Sequence, residues 1–211
     1  MLRHLISFLS NRTTLSIGTG FFILGFLFGN WATLIPYIKY KYMVDDAQLG
    51  LLLLCLPLGA LSFNPVAAVL VHRYGVTRVA TVSMLVICLA YLLPFLAATL
   101  WQVALGLVTI GGTMSTLNVS INICATRTEA EQNNHIMATC HGMFSLGLMT
   151  GSVTRSATLL FGITEVNHMV IMCLLALSAG FAAGKYLPFW ARAGDTEEDS
   201  GKFRLVLPKG T

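Results

Sequence analysis

The chain has 211 residues, of which 55% are hydrophobic and only 10% are charged, and its net charge is +4 at pH 7. A soluble domain carries charge on roughly a quarter of its residues, so this composition argues against an ordinary soluble protein. The basic residues form no run interleaved with aromatic residues, which argues against a nucleic-acid partner. The length suits about six membrane helices of about 20 residues.

The N-terminal segment MLRHLISFLSNR is basic and partly amphipathic, and the apolar run after it is too long for a signal peptide. We therefore interpret this segment as an interfacial lead-in to the first membrane span. Six apolar runs follow, each about long enough to cross the hydrocarbon core as a helix. They cover roughly residues 15–38, 49–71, 79–98, 102–124, 136–162 and 168–189.

Short polar segments separate the runs, among them KYKYMVDDAQ, HRYGVTR, TRTEAEQNN and TEVNH. Pro36 predicts an end or a kink in the first helix, and Asn64-Pro65 predicts a break in the second. Trp101 follows a turn near residues 98–101 and is placed to anchor the interface. The spans thus form a bundle with short connections.

Glycine pairs at GxxxG spacing favour close packing of some of these helices. Three such pairs lie on predicted spans: Gly25 and Gly29, Gly147 and Gly151, and Gly180 and Gly184.

The distribution of basic residues predicts the orientation of the bundle. With the N-terminus inside the cell, nine basic residues lie in the inner segments: Arg3, Arg12, Arg73, Arg78, Arg127, Arg192, Lys202, Arg204 and Lys209. Only Lys39 and Lys41 lie in the outer loops. This bias predicts that both termini are cytoplasmic. Residues 1–190 then form the six-helix bundle, and the polar, acidic residues 191–211 form a cytoplasmic linker or tail.

Polar residues recur at helical spacing inside the fourth run. Gly111, Ser115, Asn118 and Asn122 share one side of a helix. Lipid cannot satisfy amide and hydroxyl groups, so these residues must face other helices or water. They either join helices or line a cavity that binds a polar solute.

The fifth run repeats this pattern, with polar residues sharing a side at spacings of four and three. The residues of that side are His141, Ser145, Leu148, Ser152 and Arg155. His141 would otherwise be a packing residue, and Arg155 could extend to the outer interface instead. A third polar stripe, Asn30, Thr33 and Tyr37, lies on the first run next to Trp31. Three stripes together favour a shared wet interior.

Nucleophilic catalysis and metal chemistry have weak support. Ser145 and His141 lie four residues apart, but no nucleophile turn or oxyanion loop surrounds Ser145, so we predict no enzyme. Five cysteines lie in apolar runs and form no Cys-x-x-Cys pair: Cys55, Cys88, Cys124, Cys140 and Cys173. We predict neither a metal site nor a cofactor.

Five motifs carry a family resemblance over nearly the whole chain. They are GFLFGNWATLIPYIK (25–39), QLGLLLLCLPLGAL (48–61), the loop from Arg73 to Arg78, NVSINICA (118–125) and IMATCHGMFSLG (136–147). The chain resembles the N-terminal half of a major facilitator superfamily carrier, of the bacterial inner-membrane group with fucose permease-like sugar transporters. In that group acids on the first and fourth helices carry protons, and neither span has one here.

The resemblance implies an all-α integral membrane fold, half of a carrier bundle, in a bacterial inner membrane. It implies a small polar solute such as a sugar, and a second six-helix half or a homodimer as partner. We predict as substrate-binding residues Asn30, Trp31, Asn118, Asn122, His141 and Arg155. We predict as a gating loop Arg73, Gly75 and Arg78. The alternative is a truncated, non-transporting membrane protein or an assembly partner.

Overall fold

The computed structural model describes residues 2–190, with side chains from Ile6 onward, and these residues form helices joined by short turns. The predicted tail 191–211 lies outside the described residues. The helices are α1 (Leu2–Ser10), α2 (Arg12–Thr33), α3 (Ile35–Tyr42), α4 (Asp46–Tyr74), α5 (Val76–Ala90), α6 (Leu93–Leu96), α7 (Leu100–Gln132), α8 (Met137–Leu160) and α9 (Glu165–Gly184).

The predicted all-α membrane fold is confirmed in the described residues. Five helical segments are long and apolar enough to cross a membrane: α2, α4, α5 with α6, α7 and α9. The fifth predicted run forms α8, whose 24 residues extend about 36 Å, enough to span, although its sequence is less apolar.

One polar separator is more helical than expected. Helix α7 continues through most of TRTEAEQNN and ends at Gln132, where Asn133 adopts a left-handed conformation with φ of 46°. Glu129 then accepts hydrogen bonds from the backbone N–H groups of Ile136 (2.6 Å) and Met137 (2.8 Å) at the start of α8. The polar residues of this separator indicated where the chain leaves the bilayer, but they did not show where the helix ends, because a helix can continue into water.

The prolines act differently in the two places where a break was predicted. Pro36 does interrupt the first span, because α2 ends at Thr33 and α3 begins at Ile35 with the proline in its first turn. The predicted break at Asn64-Pro65 was wrong, since α4 continues through Pro65. A proline removes a single backbone donor, and membrane helices tolerate that loss when neighbouring groups compensate.

Capping residues mark where three helices begin. All three of these helix starts lie at the end of the bundle opposite the N-terminus. Asp45 and Gln48 form a capping box at α4, and Thr99 and Gln102 form one at α7. Thr164 accepts a hydrogen bond from the backbone of the first turn of α9. These caps satisfy backbone donors that the helices themselves leave free.

The helices form two layers. In one layer α4 packs along α7, α7 contacts α2, and α2 packs along α8. The second layer consists of α5, which contacts α7, and α9, which contacts α2 and α5. Helices α2 and α7 are therefore central, and within residues 2–190 no helix packs against one side of the first layer.

Glycines bring the paired helices of the first layer into backbone contact. A Cβ atom at Gly25 or Gly29 of α2 would overlap the backbone of Phe144 or Leu148 of α8. Conversely, a Cβ atom at Gly147 would overlap the backbone of Phe22. These two GxxxG pairs pack against each other; the spacing favoured close packing but did not predict which pairs meet. Helices α4 and α7 make the same kind of contact through glycines at positions 59 and 111.

Candidate functional site

The polar stripe of α7 lies partly on the side that none of the described helices covers. The Ser115 hydroxyl donates to Oδ1 of Asn64 on α4 (3.2 Å), so one member of the stripe joins two helices. Asn122 donates from its amide to the Asn118 backbone carbonyl (2.8 Å) and also contacts the Asn118 side-chain oxygen. Asn118 itself is exposed. We call Asn64, Ser115, Asn118 and Asn122 the polar patch.

On α8, beyond α2, His141 and Ser145 are exposed. The ring of His141 packs edge-on against Phe21 of α2, with 5.3 Å between the ring centroids. The Ser145 hydroxyl donates to the backbone carbonyl of His141 (3.2 Å) rather than to its ring. These two residues therefore do not form a nucleophile and base pair, and their polar groups remain accessible.

Asn30 and Trp31 do not lie with the polar patch, contrary to the prediction of a shared cavity wall. Asn30 is fully buried, and its amide donates to the carbonyl of Phe26 (2.8 Å). Trp31 is 4% exposed and lies among apolar side chains that include Ile38 and Leu107. The side of α2 that carries both residues is covered by neighbouring helices, so packing rather than water surrounds them.

The side-chain oxygen of Asn30 belongs to a buried polar network. Its Oδ1 accepts from the Thr154 hydroxyl (2.8 Å) and lies 2.8 Å from Nε2 of His168, which is also fully buried. Since that amide oxygen can only accept, Nε2 of His168 carries a proton. Nδ1 of the same ring lies 2.8 Å from the Thr158 hydroxyl. The network therefore joins α2, α8 and α9 through side chains.

His168 was not among the predicted functional residues, because it stands where the polar separator TEVNH meets the sixth apolar run. In the structure Thr164 caps α9, the helix begins at Glu165, and His168 falls in its first turn. The capping threonine was the signal that could have placed this histidine inside the helix.

Arg155 also lies away from the polar patch. Its guanidinium donates to a carboxylate oxygen of Glu165 (2.7 Å) and to the carbonyl of Ile163 (3.0 Å). The arginine side chain is 12% exposed. An arginine in a span is costly unless paired, and here the turn between α8 and α9 supplies its partners. It is held at the end of the bundle opposite the N-terminus.

The turn that carries the predicted gating residues is a sharp link between α4 and α5. Gly75 has φ of 85° and ψ of 145°, a conformation that side-chain-bearing residues rarely adopt. Arg73 stacks over the ring of Tyr74 at 5.4 Å, and Arg78 is exposed. The three residues therefore lie together at the N-terminal end of the bundle.

The chain beyond α9 returns to this turn. The hydroxyl of Thr77 accepts from the backbone N–H of Trp190 (3.2 Å), and the indole of Trp190 donates to Glu131 at the end of α7 (2.6 Å). Arg127 lies 5.8 Å from the same indole ring. Trp190 thus joins α5 and α7 to the chain that follows α9 at the N-terminal end.

Within residues 6–190, no group of three or more His, Cys, Asp or Glu side chains is close enough to hold a metal ion. The chemistry of the polar patch is therefore that of amide and hydroxyl groups.

The sequence of the chain is similar to those of known proteins. Residues 15–208 match the family model of the Major Facilitator Superfamily. An uncharacterized MFS-type transporter of Yersinia pestis is 32% identical over 190 residues, which is 90% of this chain and 48% of that protein. Membrane protein MosC of Rhizobium meliloti is 33% identical over 174 residues, 77% of this chain and 43% of MosC. Uncharacterized transporter y4wD of Sinorhizobium fredii is 28% identical over 192 residues, 91% of this chain and 50% of that protein.

No solved structure matches the chain. The chain spans about half the length of the curated relatives it matches. The family match covers most of the chain, and the helical bundle with its apolar spans agrees with it. The chain belongs to the Major Facilitator Superfamily, whose members are membrane transporters and not enzymes.

Proposed function

We propose that this bundle forms one wall of the pathway by which a small polar solute, such as a sugar, crosses a bacterial inner membrane. The observation that supports this most directly is the exposed amide of Asn118 on the uncovered side of α7. Helices α4, α5 and α2 contact α7 on its other sides. The exposed residues of α8, His141 and Ser145, extend the same wall. The resemblance to fucose permease-like carriers favours a sugar among polar solutes.

The groups on this wall suit an uncharged, hydroxylated solute. Amides and hydroxyls both donate and accept hydrogen bonds, as sugar hydroxyls do. The Asn118 amide nitrogen donates to no acceptor within residues 6–190, so it is available to a ligand. The polar patch contains no carboxylate, so the proposed pathway wall carries no acidic proton relay.

A second bundle would cover this wall. Polar groups that face lipid cost several kcal/mol each, so the polar patch needs either water or protein against it. Superfamily carriers place the solute between two six-helix bundles that rock against each other. We propose that a second bundle, in the same polypeptide or in another copy, completes the site, and that this bundle alone gives no saturable sugar uptake in liposomes.

We also propose that the N-terminal end of the bundle is cytoplasmic, with Arg73, Gly75 and Arg78 as a gating loop. Five basic residues of the described chain lie at this end, against three at the opposite end: Arg12, Arg73, Arg78, Arg127 and Lys185 against Lys39, Lys41 and Arg155. This bias supports the orientation. Reporter fusions at Gly75 and Thr211 should both give a cytoplasmic signal, and a periplasmic signal at either position contradicts the topology.

Thiol labelling tests the proposed pathway. In a Cys55→Ser background, single variants Asn118→Cys and Ser145→Cys should react with a membrane-impermeant thiol reagent in native membranes. Leu105→Cys is the control, because Leu105 is an exposed apolar residue elsewhere on α7. A transported sugar should slow the reaction at positions 118 and 145 alone. Labelling no faster than at position 105, with no sugar effect, would support the non-transporting alternative.

A further inference from the structure

The two asparagines of the polar patch that lie on α7 are not equivalent. Asn122 lies one turn after Asn118, and its amide nitrogen is within hydrogen-bond distance of two oxygens of Asn118. One is the backbone carbonyl oxygen (2.8 Å), and the other is the side-chain oxygen Oδ1. An amide nitrogen of this kind carries two N–H donors, so Asn122 uses both of them on Asn118.

The backbone carbonyl fixes which atom of each side chain faces the other. A carbonyl oxygen only accepts, so the Asn122 atom beside it is nitrogen. That nitrogen only donates, so the Asn118 atom beside it is Oδ1. Since the oxygen and nitrogen of an amide diverge from one carbon, Asn118 turns its NH2 group away from Asn122. Asn118 is exposed, and this NH2 group meets no acceptor in the described part of the chain.

Asn64 on α4 presents a second donor beside Asn118. Its Oδ1 accepts from the hydroxyl of Ser115 (3.2 Å), and its NH2 group donates to no acceptor within residues 6–190. Ser115 lies three residues before Asn118, so the two amides lie within one turn of α7. The remaining acceptor is Oδ1 of Asn122, about 6 Å from Asn118 along α7 toward the N-terminal end of the bundle. The polar patch therefore presents donors first and then an acceptor.

We propose that Asn122 is a positioning residue, which holds the Asn118 amide so that its NH2 group donates to an oxygen of the solute. The proposal rests on the proposed function and narrows the solute class. A carbonyl, ether or hydroxyl oxygen can accept from Asn118, whereas an ammonium group cannot, because it only donates. A hydroxyl of the same solute donates to Oδ1 of Asn122. The solute thus combines an acceptor oxygen with a hydroxyl about one helical turn away.

NMR of the full chain, labelled with ¹⁵N at asparagine and held in detergent micelles, tests the position of the amide without a solute. Hydrogen exchange with water should be roughly fivefold faster for the NH2 group of Asn118 than for that of Asn122, whose N–H groups are bonded. Dimethyl sulfoxide, which only accepts, should shift the Asn118 resonances and leave those of Asn122 in place. Equal exchange and equal shifts at the two positions would overturn the proposal.

Two variants separate positioning from packing. Asn122→Asp keeps the shape but offers only acceptors, so the Asn118 amide should turn over and its exchange should slow roughly fivefold. Asn122→Gln keeps a donating amide at the same helical spacing and should leave Asn118 as it is in the unaltered chain. Asn167, exposed on α9, supplies a control resonance that neither variant should move. Unchanged Asn118 exchange in Asn122→Asp would contradict the positioning role.

Thiol labelling in native membranes separates this proposal from the pathway itself. In the Ser145→Cys chain with Cys55→Ser, N-acetylglucosamine should slow labelling. Adding Asn122→Asp should raise the sugar concentration needed about tenfold, without changing the rate in the absence of sugar, and Asn122→Gln should not raise it. Protection that Asn122→Asp leaves unchanged would overturn the positioning role alone. Absence of labelling at position 145 in every chain would contradict the pathway, and labelling that this sugar never slows would contradict the solute class.

Discussion

Replacing Gly147 by alanine tests the contact that holds α2 against α8. An added Cβ atom would overlap the carbonyl oxygen of Phe22 and lie 2.9 Å from the backbone nitrogen of Phe26. These are backbone atoms, so no rotamer change can make room. The helices must move apart by roughly 1.2 Å to lengthen the 2.3 Å contact with the Phe22 oxygen to an ordinary contact of about 3.5 Å.

The expected cost follows from this geometry. Overpacking destabilises by about 1–3 kcal/mol, and contact with backbone on the partner helix places Gly147→Ala near the upper value. The better helix propensity of alanine offsets about 1 kcal/mol, which leaves a net loss of about 2 kcal/mol. Gly142→Ala is the matched control on the same helix, because no atom lies within 4 Å of its added Cβ. That variant should be neutral or slightly more stable.

The free energy of unfolding can be measured by titration with sodium dodecyl sulfate in mixed micelles, followed by circular dichroism. A second variant, Gly25→Ala, overlaps the backbone of Phe144 across the same helix pair. Separation of the helices relieves both overlaps, so the double variant should lose less stability than the sum of the single losses. Gly147→Ala and Gly142→Ala stabilities that agree within about 0.5 kcal/mol would refute this reasoning.

Three further predictions concern other parts of the bundle. His168→Leu should lower the free energy of unfolding by about 1–2 kcal/mol, because it leaves the buried Asn30 oxygen with one partner fewer; the same detergent titration measures it. Gly75→Ala should cost about 1–3 kcal/mol through backbone strain at φ of 85°, and an unchanged midpoint would contradict it. The hydrogen bond and charge of Asp46 raise the pKa of Lys39 above its ordinary 10.5, so the stabilisation from this pair is present at neutral pH and lost as pH rises through that pKa. Nitrogen NMR titration should show the Lys39 pKa falling in Asp46→Asn, and no change would count against the pair.

The sequence by itself determined the fold class and the approximate positions of the membrane helices. Apolar runs of about 20 residues are sufficient for this, because lipid requires every backbone polar group to be satisfied within a helix. Helical spacing also determined that Ser115, Asn118 and Asn122 share one side of α7. The glycine spacing indicated the close approach of α2 and α8, although it did not show that Gly25 and Gly147 belong to the same contact, and the pair Gly180 and Gly184 meets side chains instead of backbone.

Only the tertiary structure decided what covers each polar side. Asn30 and Asn118 look alike in the sequence, yet Asn30 is buried against His168 and Asn118 is exposed. Arg155 shares a helical stripe with Ser145, but it pairs with a carboxylate on the next helix, Glu165, at the end of the bundle. Helical periodicity relates residues of one helix to each other. The partner of a polar group in a membrane comes from another helix, distant in sequence, and packing selects it.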